Sequence, residues 1–522
     1  MAFLVLVSLA AFLPGFFNLP PVDRDEARFA QTSRQMLASG DLVDLRFQDG
    51  TRYKKPAGIY WLQSVAVALT GPTEDAAIWR YRLPSLLAAM LSVLLTARLA
   101  GRLSGPEAAL PAGLLMATVF VLGAEARLAK TDAAVLLTVL VAMGPLIAAY
   151  RGERLGWGGI LAFWAALGVS ALIKGPIGPM VVLLAAAALA VLSRRLHWLL
   201  ALRPLPGLAL LMAIVVPWYA AISLRAGQAF WDEALGRDLI GKLQSAQESH
   251  GAPPGSYLVA LWLAFFPASA ALALTLPQIW AQRRSQLMLI AAAWVVPGWL
   301  VFEAAPTKLL HYTLPFYPAL ALLIAAVWPL AVAGPRRWAL VAAGLVMLLP
   351  YAVMTALAVY AQGLGGIPVA PLAIAALISL AGTAIAVFAL TRRLPLVALC
   401  GLCLAGNGLQ VALFPTAAAV PRLWPAPAVV AALPVTDACP RPTLHAAGYT
   451  EASLVFLAPG PVVWTAAEDA AAALQTDPCA AALLPTDAGF APPPGIATIA
   501  RIQGLNLGSG KPVDLTLWGR QP

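Results

Sequence analysis

The feature that most constrains this chain is a succession of apolar runs, each close to the length needed to cross a bilayer. An α-helix rises 1.5 Å per residue, so a hydrocarbon core of about 30 Å needs about 20 apolar residues. Thirteen runs come near that length: 2–19, 82–101, 107–124, 132–150, 157–174, 177–193, 205–223, 256–276, 286–303, 309–331, 337–360, 367–390 and 394–414. Composition agrees, with 61% hydrophobic and 11% charged residues, where a soluble domain has about a quarter charged. The 44 Pro and 41 Gly follow no short period, and 16 Trp exclude low complexity. The chain reads as an all-α polytopic membrane protein. Its first run has neither a charged leader nor a cleavage site, which predicts a retained helix.

The net charge of +10 rests on 27 Arg and only 7 Lys. Short cytoplasmic loops of membrane proteins are enriched in basic residues. Every second loop here is short and Arg-bearing: Arg98 and Arg102, Arg151 and Arg154, Arg194, Arg195 and Arg203, Arg283 and Arg284, Arg336 and Arg337, Arg392 and Arg393. Placing these loops in the cytosol accounts for most of the Arg without any nucleic acid partner. An odd number of spans then leaves the N-terminus inside and the C-terminus outside. All seven Lys fall on the outer side: Lys54, Lys55, Lys130, Lys174, Lys242, Lys308 and Lys511. Topology does not ask for lysines there, so they invite a chemical explanation.

The spans divide the chain into a transmembrane domain at 1–414 and a C-terminal outer domain at 415–522. Long outer loops run over 20–81 and 224–255. Pro415, Pro421, Pro425 and Pro427 mark a linker. Beyond it, a strand is expected over 452–458, a helix over 466–475, a strand over 480–484, and paired strands over 496–518 turning at Gly508-Ser509-Gly510. This predicts a small α/β domain. Cys439 and Cys479 lie in it and can pair in an oxidising compartment. Cys400 and Cys403 lie in an apolar run and read as buried small side chains.

Five outer segments carry ionisable groups. The first loop reads Asp23-Arg24-Asp25-Glu26-Ala27-Arg28-Phe29, an amphipathic helix at the membrane surface. Arg52-Tyr53-Lys54-Lys55-Pro56 leads into a new aromatic helix, with Pro suited to its first turn. Arg127-Leu128-Ala129-Lys130-Thr131-Asp132, Lys174-Gly175-Pro176 and Glu303 to Tyr312 form three short loops. Each could serve only as solvated charge or as lysines reaching for headgroups. Ionisable groups at a membrane boundary are costly, however, and five on one side point to a site. Carboxylates among several cations suit a substrate with a phosphate at the interface and a lipid tail in the bilayer.

The order of motifs is a known one. Asp25-Glu26-x-Arg28, Met36-Leu37-Ala38-Ser39-Gly40-Asp41, Lys55-Pro56, Lys130-Thr131-Asp132-Ala133, Lys174-Gly175-Pro176-Ile177-Gly178 and Lys308-Leu309-x-His311-Tyr312-x-Leu314-Pro315 follow one another. The chain resembles the polyprenyl-phosphate-dependent glycosyltransferases of the type C (GT-C) membrane fold. Its nearest likeness is to the bacterial aminoarabinose transferases of lipid A and the wider family related to protein O-mannosyltransferases. That resemblance implies about 13 transmembrane helices with a small C-terminal α/β periplasmic domain, in the bacterial inner membrane. It implies transfer of a sugar from polyprenyl phosphate to a lipid, glycan or protein acceptor. It makes Asp25 the catalytic carboxylate, with Arg28, Lys55 and Lys174 on the lipid phosphate; beside it, Asp132 reads as a second catalytic carboxylate or as an ion-pair partner of Lys130 or Arg127. Glu26, Lys54, Lys130, His250, Lys308, His311 and Tyr312 complete the expected substrate site.

The lipid A transferases place a Glu before the Lys-Pro pair, which can join a His in holding a metal. Here that position is Lys54, and His250 stands alone, so no metal or other cofactor is expected. The change also leaves sugar and acceptor open. A transporter or flippase of lipid-linked sugars is the alternative, and it calls for charge along a membrane path or repeat symmetry. Neither is evident. An O-antigen ligase or polymerase would carry a large late outer loop, whereas the most informative loop here is the first.

Overall fold

The computed structural model describes residues 1–234, 236, 251–366 and 368–520. Lys242 and His250, both singled out from the sequence, lie outside them. Among the described residues, nine helices are long and apolar enough to cross a membrane. They are Ile78–Ser104, Asp132–Tyr150, Trp157–Lys174, Pro204–Ala226, Gln286–Ala304, Leu310–Ala333, Arg337–Gly363, Val369–Thr391 and Pro395–Ala418. Two further spans are broken: Pro106–Thr118 with Phe120–Ala126, bent by 62°, and Ser256–Ala264 with Ala268–Ala281, bent by 113°. The two breaks face each other, and the Phe120 amide donates to the Phe266 carbonyl at 2.8 Å. Irregular backbone at such depth survives only where protein satisfies it, as happens here.

The remaining two expected runs are helical but short, Ala2–Phe12 and Ile177–Ser193. The first stops early because Pro14 and the left-handed Gly15 follow it. Hydroxyls inside the spans bond back to their own helices, as Ser92 does to Ala88 and Thr275 to Ala271. Such i−4 bonds spare a polar group from facing lipid.

Arginine separates into two populations. Arg98, Arg194, Arg195, Arg283, Arg284, Arg392 and Arg393 are exposed at helix ends. Arg82 and Arg127 are fully buried instead. Arg127 donates to the carbonyls of Ala11, Pro14 and Gly123 and to Gln410 Oε1. It therefore locks the end of the first helix to a broken span and to the last one.

The C-terminal domain is a five-stranded mixed sheet. After a two-stranded ribbon in the first loop (β1 Arg46–Phe47 and β2 Gly50–Thr51), the strands are β3 (Thr443–Ala446), β4 (Val462–Trp464), β5 (Ala480–Pro485), β6 (Ile496–Asn506) and β7 (Lys511–Arg520). Their order is β4-β3-β5-β7-β6, parallel across β4-β3-β5 and antiparallel beyond. The expected helix is present as Ala467–Thr476, and β6 and β7 turn where foreseen. One expectation is corrected: residues 452–458 are not a strand, because Ala452–Leu457 is helical. A short continuous apolar run does not separate the two states by pattern. This one is buried all round, with Leu454 in the sheet core and Phe456 against the membrane domain. Cys439 and Cys479 form a disulfide that joins the approaches to β3 and β5. Cys403 is buried and Cys400 partly so.

Candidate active site

The charged loops enclose one cavity of about 1090 Å³. Two close approaches build it. Helix Gly58–Leu69 starts just after the Lys54-Lys55-Pro56 loop, and a Cβ on Gly58 would lie 2.7 Å from the Leu172 carbonyl oxygen. Only glycine lets this helix meet the end of Trp157–Lys174 so closely, which brings Lys55 and Lys174 to one wall. The second approach is made by Glu26. Its carboxylate takes Arg82 Nε and Nη2 at 2.8 and 2.9 Å, and also accepts the Val22 and Ala129 amides. Through the Ala129 bond, the loop bearing Lys130 is fixed to the start of helix Asp25–Ser39.

Glu26, expected to bind substrate, borders the cavity, but its carboxylate is taken up by Arg82 and two amides and its side chain is 0% exposed. Three other expectations are revised. Arg28 is not among the residues that line the cavity. Lys308 points to the end of helix Gln286–Ala304, donating to the carbonyls of Phe302, Glu303 and Ala305 at 3.4, 2.8 and 2.7 Å. A lysine there caps orphan carbonyls and suits the negative helix end. The surface helix is also not merely laid on lipid, since Ala27, Phe29, Ala30 and Met36 pack inside the protein.

The cavity gathers Asp25, Lys54, Lys55, Lys130, Asp132, Lys174, His311 and Tyr312 as expected. Asp25 is the first residue of its helix and is exposed to the cavity, although cavity walls surround it. Burial pushes its carboxyl up, but Lys130, Arg52, Lys55 and His311 together outweigh burial and hold it below the usual carboxylate range. It stays ionised and solvent-accessible. Burial works against the Lys130 ammonium, yet Glu125, Asp132 and Asp25 outweigh it and keep that group charged.

Behind Asp25 lies a buried polar cluster. Lys174 Nζ is 2.5 Å from Asp132 Oδ1, and Lys130 Nζ is 3.1 Å from Glu125 Oε1. His311 joins the two carboxylates, with Nδ1 3.3 Å from Glu125 Oε1 and Nε2 3.6 Å from Asp132 Oδ1. Lys174 also stands 5.3 Å over the Tyr312 ring. Two members were missed in the sequence. Glu125 ends an apolar run, and a carboxylate inside such a run is itself a signal. Arg52 looked like loop charge, but it is buried, lies over the Phe29 ring and lines the cavity.

Glu125, Asp132 and His311 are also the described group whose donor atoms could surround a metal, lying within 4.8 Å of one another. Each carboxylate also faces an ammonium, Glu125 that of Lys130 and Asp132 that of Lys174. Ile177, Met180, Tyr219, Trp231 and Phe302 also line the cavity. The cavity therefore combines cations and a carboxylate with apolar and aromatic lining.

The family model described as dolichyl-phosphate-mannose-protein mannosyltransferase matches residues 54–220. The chain is 31% identical over 322 residues to the undecaprenyl phosphate-alpha-4-amino-4-deoxy-L-arabinose arabinosyl transferase of Aeromonas hydrophila, covering 60% of this chain and 58% of that protein. It is 30% identical over 371 residues to the enzyme of the same name from Pectobacterium carotovorum, covering 69% and 64%. The matched part is thus under two thirds of each relative's length. The crystal structure of ArnT from Cupriavidus metallidurans bound to undecaprenyl phosphate superposes with a TM-score of 0.80 at 21% identity, over 99% of this chain and 97% of that one. The resemblance drawn from the ordered motifs holds: the chain has the type C membrane fold and is related in sequence to these transferases.

Proposed function

We propose that this protein is a membrane glycosyltransferase that moves a sugar from a polyprenyl-phosphate donor to an acceptor at the periplasmic face of the bacterial inner membrane. The N-terminus is then cytoplasmic and the C-terminal domain periplasmic. The observation that carries this reading is Asp25, an ionised carboxylate open to a cavity whose walls supply Arg52, Lys54, Lys55 and Lys174.

Arg52, Lys54, Lys55 and Lys174 are positioned to hold the donor phosphate, with Arg52 in the part expected of Arg28. The isoprenoid chain lies along Met180, Tyr219, Trp231 and Phe302 toward lipid. Attack by an acceptor oxygen forms a new bond to the anomeric carbon and breaks the bond from that carbon to the phosphate oxygen. The electron pair leaves with polyprenyl phosphate, whose growing charge falls on fixed cations in a partly dry site. One such contact is worth about 3 kcal/mol of barrier. A hydroxyl acceptor gives its proton to Asp25, which the surrounding cations keep available as a base. An acceptor that is already ionised needs Asp25 only for orientation. A single displacement inverts the anomeric centre.

The transport alternative fits less well, because the cationic groups gather in one cavity instead of following a path through the spans. The relatives' names make a pentose carrying an amine one candidate sugar. Hexose and pentose donors remain the substrate class, and lipid, glycan or protein the acceptor class. The test is mass spectrometry of envelope lipids and glycans from cells with the protein, without it, and with Asp25→Asn. Loss of one sugar mass from an envelope molecule in both mutants, with sugar-loaded polyprenyl phosphate accumulating, is the expected result. A wild-type pattern with Asp25→Asn would overturn the assignment.

A further inference from the structure

The C-terminal domain reaches the turn that presents Asp25. Asp23 Oδ1 accepts the Ser453 amide at 3.2 Å, and Asp23 Oδ2 accepts the Tyr449 hydroxyl at 3.2 Å. Arg34, further along the same helix, donates to the Phe456 carbonyl at 2.7 Å and stacks 4.1 Å over its ring. Gln48 of the first loop donates to the Val462 carbonyl at 2.6 Å. Gly508, in the turn between β6 and β7, packs against the side-chain ends of Glu451 and Arg24, which a side chain there would push aside. A Cβ there would lie 2.6 Å from Glu451 Oε1 and 2.8 Å from Arg24 Nε. The β6–β7 turn therefore closes directly over Arg24.

Arg24 is the residue that needs holding. Its φ of 63° lies in the left-handed region, where a side chain is strained, and it precedes a helix with no side-chain cap at its start. Such backbone costs about 1–3 kcal/mol and persists only where its surroundings fix it. Relaxing it would rotate the first turn and carry Asp25 off the cavity axis. The turn is held on either side, at Asp23 by the C-terminal domain and at Glu26, two residues past Arg24, by Arg82.

We propose that the C-terminal domain is a clamp on the reaction centre, in which Asp23, Tyr449 and the close-packed Gly508 are positioning elements that hold the Arg24 turn and so aim Asp25. The inference rests on the transferase reading for its catalytic meaning and on the contacts alone for the clamp. Misplacing a reacting group by about 1 Å can cost about 100-fold in rate.

The experiment uses the full-length protein in lipid nanodiscs, as wild type, Asp23→Ala, Asp23→Asn and Gly508→Leu. Two readouts are taken: sugar transfer from a synthetic undecaprenyl-phosphate sugar, and hydrogen exchange of the amides of residues 22–28. Asp23→Ala and Gly508→Leu should lower kcat by about 10-fold or more, with donor KM within about twofold of wild type. They should speed exchange over 22–28 while β5 and β7 exchange as in wild type. Asp23→Asn, which keeps an accepting oxygen, should recover most of both. Unchanged exchange over 22–28, or an unchanged kcat, in both disruptive variants would overturn the clamp. Faster exchange without any transfer by the wild type would uphold the clamp and overturn the assigned reaction instead.

Discussion

Lys174 meets Asp132 across two helix ends, its Nζ 2.5 Å from Asp132 Oδ1, and both side chains are nearly buried. The lysine closes one span and the aspartate opens another, so the pair ties two helices together at the floor of the cavity. Removing one partner of a buried pair strands the other, at about 3–5 kcal/mol, whereas removing both can be close to neutral. Lys174→Met should therefore destabilise the protein by about 3 kcal/mol. Lys174→Met with Asp132→Asn should restore most of that loss yet remain inactive, because the phosphate has lost a cation. Thermal unfolding in nanodiscs beside initial rates checks both halves, and full activity in the double variant would remove Lys174 from the site.

Asp25 and Glu26 are adjacent carboxylates with opposite duties. Asp25→Asn should leave the melting temperature within about 2 °C of wild type and reduce transfer by 100-fold or more, roughly the weight of a lost general base. Glu26→Gln should do the reverse. It leaves buried Arg82 short of an anion, which costs about 3–5 kcal/mol, and any protein that stays folded should keep its donor KM. A large stability loss in Asp25→Asn would contradict the cavity-facing placement.

The clamp has a pH dependence whose sign follows from Asp23. Burial pushes its carboxyl up to about 6, with the Ser453 hydrogen bonds opposing and Glu451 adding to the rise. Tyr449 and Arg24 are the other titratable groups at this contact. A carboxyl raised on folding stabilises the folded form fully below its ordinary value of 3.8 and loses that contribution as pH rises through about 6. Exchange over residues 22–28 should be slower at pH 5 than at pH 7.5, after correction for the intrinsic rate. Asp23→Asn should flatten that difference. The same pH dependence in Asp23→Asn would assign it to another group.

The Cys439–Cys479 disulfide closes a loop with a sequence separation of 40. On the chain-entropy estimate such a closure contributes about 4 kcal/mol. Cys439→Ser with Cys479→Ser should lower the unfolding free energy of the C-terminal domain by up to that amount and loosen the clamp. The membrane helices should unfold as before, since the bridge lies within the sheet domain. Proteolysis of the C-terminal domain in native membranes, with and without reductant, reads this directly.

Much of the fold was legible because its cause is local. Thirteen apolar runs each became helix, since a segment in hydrocarbon must satisfy its own backbone whatever its neighbours do. Lysines standing where topology did not ask for them marked Lys54, Lys55, Lys130 and Lys174, all of which reached the cavity. Residues 452–458 were misjudged because burial on all sides erases the period that separates strand from helix. Breaks at Val119 and Phe265–Pro267 were also invisible, since each is satisfied by a partner far away in the chain.

The sequence by itself determined that the chain crosses the membrane many times, carries a small α/β domain after its spans, and places its unusual cations at loop ends. These follow from hydropathy, spacing and residue type. Only the tertiary structure decided which charges border the cavity and which are taken up by partners inside the protein. Glu26 and Asp25 differ by one position and about 100° around a helix, yet the Glu26 carboxylate is buried against Arg82 and Asp25 is exposed to the cavity. Arg52 lines the cavity and Arg28 is not among its lining residues. Lys308 met carbonyls of its own loop, and Glu125 met Lys130 and His311. The rotational phase of a helix and the partner across a gap are set by packing, and packing is a property of the assembled chain.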